Sequence, residues 1–187
     1  DLFNHRLRLH ADPSRVVVRP FHIAWGGGNG APPSRTERLV GEVLAMSPQE
    51  ARDQLETVLK DFEARHWQTR RVFMTRYDQI EDLLKLDGSK IGDEKRQLIG
   101  AYFCHEYSYA AAALMNPSAV PHFDQTGIQP GSQRILMSMR AVGEGHISSV
   151  AFREGIINDQ NQLRLAPEPP FATATDVHGW GDDTMPN

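Results

Sequence analysis

The chain has 187 residues, 40% apolar and 24% charged, the balance of a folded domain, which excludes a disordered or fibrous chain. A formal net charge of −4 argues against a surface built to neutralise phosphates, so no nucleic-acid partner is expected. The one cysteine, Cys104, excludes an intrachain disulfide and a thiolate zinc cage; its apolar surroundings read as those of an inert thiol in a reducing compartment.

No run approaches the roughly 20 apolar residues of a membrane span. The opening DLFNHRLRLH lacks the apolar centre of a signal peptide. A cytoplasmic location without membrane contact is the expectation. Because Asp1 stands where an initiator methionine would, the chain is expected to begin after processing or partway along a longer reading frame.

In chain order, RVVVR (15–19) between Pro13 and Pro20 predicts a short strand. WGGGNGAPP (25–33) reads as a flexible connection, since no Lys-Ser/Thr follows to make a phosphate loop. Ser34 with Glu37 forms a capping box and predicts a helix over about 35–45. Ser47, Pro48 and Glu50 start a second, in which Ala51, Leu55, Val58, Leu59 and Phe62 share one face. Phe73, Tyr77, Ile80, Leu83 and Leu84 repeat the pattern until Asp87-Gly88. A fourth helix is predicted from near Asp93, its start GDEKRQ solvated, to about Met115, where Asn116-Pro117 would stop it. Its stretch AYFCHEYSYAAAALM is apolar or aromatic almost all round, as in a buried helix.

Beyond Pro117 the period becomes two. Residues 133–140 and 146–153 predict strands joined by a turn holding Gly143 and Gly145, with a weaker strand at 161–165. The fold class is therefore α+β, in four parts: 1–33 strand and connection, 34–115 helical, 116–165 an antiparallel β-meander, and 166–187 an irregular tail. Two or three strands leave open edges and too little sheet to stand alone. Either they pack on the helices or further strands belong with them, and the second is expected.

Several familiar motifs fall short. His105-Glu106 lacks the second histidine of a zinc protease, because Tyr109 stands there, and reads as a hydrogen-bonded core pair. Arg65-His66 and Arg70-Arg71 read as complements to a helix C-terminus. No G-x-S-x-G elbow is present. Two segments differ: NPSAVPH (116–122) and SMRAVGEGHISSVAFREG (138–155) crowd Asn116, Ser118, Arg140, Glu144, His146 and Ser148 near strand ends. Arg and Asn donors with His and Ser groups suit a neutral, hydroxyl-rich ligand. Residue chemistry alone leaves that reading level with one of ordinary turn and edge residues satisfying the backbone.

At these segments the sequence resembles glycoside hydrolase family 130, the mannoside phosphorylases and related glycosidases. ALMNPSAVPH and ILMSMRAVGEGHISSVAFREG look like the first blade of that family's five-bladed β-propeller. RLHADPSRVVVRPF and the helical region ending in Arg65-His66 resemble an N-terminal extension of one branch, so the likeness spans about 1–165. It implies that Asn116 and Arg140 line the central pocket and contact the sugar whose bond is cleaved, with Ser118, Glu144, His146 and Ser148 near the rim. It further implies an inverting reaction on β-linked mannosides, with inorganic phosphate as a co-substrate in the phosphorylases and no metal or other cofactor. Homo-oligomerisation through the helical region fits that branch. The family's general acid lies in the second blade, and Asp176, Asp182 and Asp183 have no strand context that would carry its role. No catalytic residue is assigned, and this polypeptide alone is expected to be inactive. The alternative is a non-catalytic helical interaction or sugar-binding module.

Overall fold

A computed structural model, describing residues 7–21 and 34–172, is mixed α/β, with four α-helices and two antiparallel sheets. The expected connection at 25–33 and the three tail aspartates lie outside the described residues. Strand β1 is Val16–Pro20. Helices α1 (Arg35–Ala45) and α2 (Pro48–Glu63) start where their caps predict. Ser34 accepts the Glu37 amide while Glu37 accepts the Ser34 amide at 2.7 Å, and Ser47 with Glu50 does the same. These bonds hold both carboxyls below the usual Glu range. Helix α3 is Thr69–Leu84, closed by Lys85 in the left-handed region, and α4 is Asp93–Tyr102.

The helical core joins Val40, Val43, Ala51, Tyr77, Ile80, Leu98, Ile99 and Phe103, with Leu55, Leu59 and Phe73 beside it. Helices α3 and α4 approach so closely that a Cβ on Gly100 would overlap the Phe73 carbonyl oxygen. Only glycine fits there.

The fourth helix is shorter than its sequence predicts. After Tyr102 the chain turns into strand β2 (Cys104–Ser108), and strand β3 (Ala113–Pro121) runs through Asn116-Pro117. An all-round apolar run fits a buried strand as well as a buried helix, and periodicity cannot separate them. Tertiary pairing decides: β1 needs a partner, and β2 supplies it antiparallel, with Val18 opposite Glu106. Val18 and Cys104 then reach the Leu55–Leu59–Phe73 cluster. Burial pushes the half-buried Cys104 thiol up to about 11.

His105-Glu106 is likewise not a helical core pair. The His105 side is exposed, its ring edge-on to Phe21, while Glu106 accepts from Arg65 Nε and meets His66 Nε2, both at 2.7 Å. Burial raises the Glu106 carboxyl, but those two partners outweigh it and hold the group below its ordinary value. Arg65 and His66 thus tie the end of α2 to β2 instead of capping helix carbonyls, and Arg70 pairs with Glu63.

The second sheet orders β3, β4 (Gln133–Val142), β5 (Ser148–Ile157) and β6 (Leu163–Leu165) as a plain meander. Strand β3 adds to the three expected strands and begins three residues inside the stretch expected to be helix. Ile135, Met137 and Met139 form a core separate from the helical one, with Ile157, Leu163 and Leu165 of the same sheet and Leu9 of the N-terminal segment packed against them. Glu168 clasps both Arg15 and Arg153, fastening that segment to β5. The outer face carries Val120, Val150 and Phe152, each more than half exposed. Among the described residues no helix is long and apolar enough to cross a membrane.

Candidate functional site

Asn116-Pro117 marks a β-bulge. Met115 pairs with Arg140 and Ser118 with Ser138, so Asn116 and Pro117 together face Met139. Asn116 takes φ +53°, a left-handed conformation that its short amide tolerates. Pro117 brings no N–H to a place where the ladder is already broken. The same dipeptide that reads as a helix stop is thus compatible with a long strand. The bulge sets Asn116 one position beyond the Met115–Arg140 pair.

Arg140 is exposed near the end of β4, where Nε donates to Ser148 Oγ at 3.0 Å. Arg140 pairs with Val150 and Ser148 with Val142, so the bond runs diagonally between neighbouring strands. Ser118 belongs to the same neighbourhood through Ser138, two positions along β4. The β4–β5 connection is a tight turn: the Gly143 amide donates to the Ile147 carbonyl at 2.9 Å, and Gly145 (φ +62°) and His146 (φ +58°) are both left-handed. Glu144 and His146 are exposed on it.

Register thus places Asn116 and Ser118 on β3 beside the stretch of β4 that holds Arg140, and of the four only Arg140 and Ser148 are joined by a hydrogen bond among the described residues. Glu144 and His146 sit on the adjoining turn, where neither side chain makes a hydrogen bond or ion pair among the described residues. A guanidinium, an amide and two hydroxyls offer directional donors and acceptors. Of the six residues, Glu144 is the carboxylate and His146 the imidazole, side-chain types that can exchange a proton. Among the described residues no group of three or more His, Cys, Asp or Glu could hold a metal ion.

A groove of about 300 Å³ opens elsewhere on the sheet, lined by Leu136, Phe152, Glu154, Pro167 and Pro169. A smaller depression of about 110 Å³ lies between Arg15 and Arg65. Neither includes Asn116 or Arg140. Sequence reasoning missed the bulge, whose signal was Asn-Pro within an apolar run. In comparisons with known proteins no family model matches the chain, and no curated protein or solved structure matches it.

Proposed function

We propose that this chain is the N-terminal part of a carbohydrate-active enzyme resembling the family 130 glycoside phosphorylases and hydrolases, acting on β-linked mannosides, with the Asn116–Arg140 cluster as one wall of its sugar pocket. The observation that carries the reading is the adjacency of Asn116 and Arg140 across the bulge, with Arg140 steadied by Ser148. Such a wall suits a pyranose, whose hydroxyls each want a donor or an acceptor and whose ring carries no charge to neutralise. A four-stranded antiparallel meander is also the architecture of a propeller blade. Inorganic phosphate as a co-substrate, a cytoplasmic setting and oligomerisation through the helices belong to the same proposal.

On this reading the described residues bind sugar but do not turn it over. Titration of the chain with mannose and a β-linked mannobiose, followed by NMR, is expected to shift amides around 115–118 and 140–148. Arg140→Ala is expected to weaken that binding by about tenfold, the value of a charge-assisted hydrogen bond or two. Shifts unaffected by Arg140→Ala, or none at all with the wild-type chain, refute the pocket. Hydrolysis or phosphorolysis of the mannobiose by this polypeptide alone would refute the division between binding and proton transfer.

A further inference from the structure

The 143–147 turn rests on a residue from the other sheet. Tyr107, in β2, is 5% exposed, and its hydroxyl shares its one proton between the carbonyl oxygens of Glu144 and Ile147, each a long 3.4 Å away. Its ring is held in place from outside the turn, because the Arg19 guanidinium sits 4.7 Å from the ring centroid and the Tyr107 backbone pairs with Val17. On the turn's side the approach is so tight that a Cβ on Gly143 would overlap both the Tyr107 hydroxyl and the Ser108 carbonyl oxygen. Close above it, His146 takes a left-handed conformation that L-residues with a side chain seldom adopt. A strained residue persists only where its surroundings over-determine it. Here the surroundings are the Gly143–Ile147 bond inside the turn and Tyr107 beneath it.

We infer that Tyr107 is a positioning residue: it fixes the two carbonyls that bracket the turn and so holds Glu144 and His146 beside the Arg140–Ser148 pair. β1 and β2 then support the candidate site directly, through a contact that passes from one sheet to the other. The consequence for a ligand rests on the carbohydrate reading, whereas the seating of the turn does not.

Tyr107→Phe separates the two. It keeps the ring, the Arg19 stacking and the β1–β2 pairing, and removes only the hydroxyl. Amide hydrogen exchange measured by NMR on the wild-type and variant chains is expected to speed up at Gly143 by about tenfold relative to amides in the centre of β4, with the thermal midpoint nearly unchanged. Mannobiose affinity is expected to fall several-fold in the same variant. Unchanged Gly143 exchange overturns the inference. Faster exchange with unchanged mannobiose affinity overturns the role toward ligand. If the wild-type chain does not bind mannobiose but Gly143 exchange still rises in Tyr107→Phe, the carbohydrate reading falls and the seating of the turn stands.

Discussion

The helical core and the four-stranded sheet draw on similarly apolar sequence and end in different states. In the helices Phe73, Tyr77 and Ile80 are wholly buried, because each amphipathic stripe meets another stripe across a helix pair. In the sheet Ile135, Met137 and Met139 are buried, while Val150 and Phe152 on the opposite face are 64% and 59% exposed. A helix has one stripe to hide; a sheet has two faces. β4 and β5 place apolar residues on both, but on the outer face they alternate with polar ones: Val150 lies opposite Arg140, Phe152 opposite Ser138 and Ile156 opposite Arg134, while Leu136 faces Glu154. A sheet that meets water on one side normally turns a polar face toward it. Helix stripes thus close on one another, whereas the sheet buries one face and leaves on the other a mixture of apolar and polar side chains in water.

The sharpest way to break this comparison is to empty the helical core. Phe73→Ala is expected to cost about 3–5 kcal/mol, the transfer term plus a cavity that the close α3–α4 contact at Gly100 keeps from collapsing. Urea unfolding at fixed protein concentration measures it. A loss below about 1 kcal/mol would mean that the helices pack as loosely as the outer sheet face.

The next effect tests how β2 is fastened to the helices. Glu106→Gln is expected to cost about 1–3 kcal/mol at neutral pH, since Arg65 and His66 both converge on one carboxylate oxygen and an amide replaces the charge they meet. Because the folded carboxyl lies below its unfolded value, its contribution is present above the ordinary Glu range near 4.3 and is lost as pH falls through the folded value. The gap between wild type and variant should therefore close on acidification below about pH 4.5. A gap that widens toward acid would show that Glu106 is not the tie.

What the sequence made legible followed from local chemistry. Both capping boxes, the amphipathic stripes of α2 and α3, the starts of α4 and β4, and the glycine turn before β5 each depend on residues within a few positions of one another. The misreadings fell where distant pairing decides. Residues 104–115 carry no period that separates helix from strand, and only β1, more than eighty positions earlier, makes 104–108 a strand. The site residues were named from strand ends and from the resemblance. That Asn116 neighbours Arg140 depends on a register shift which no single strand encodes. Tyr107 was invisible for the same reason, its role being set by a turn in another sheet.

The smallest effect sharpens the comparison most, because one chemical change can be made in both regions. Valine to threonine keeps the β-branched shape and replaces a methyl with a hydroxyl. At Val43, 1% exposed between helices, the hydroxyl loses water without an assured partner, and Val43→Thr is expected to cost about 1–3 kcal/mol. At Val150, 64% exposed in β5, the hydroxyl stays hydrated and threonine is an equally good strand residue, so Val150→Thr is expected to change stability by no more than about 0.5 kcal/mol. The same urea measurement on both variants gives the contrast directly. Should the polypeptide be extended by further sheet, as the proposed function holds, the Val150 value ought to climb toward the Val43 value as the outer face loses water, while the Val43 value stays where it was. A Val150→Thr cost already as large as that of Val43→Thr in this chain would mean that Val150 is covered in solution, and the contrast between the two regions would fail.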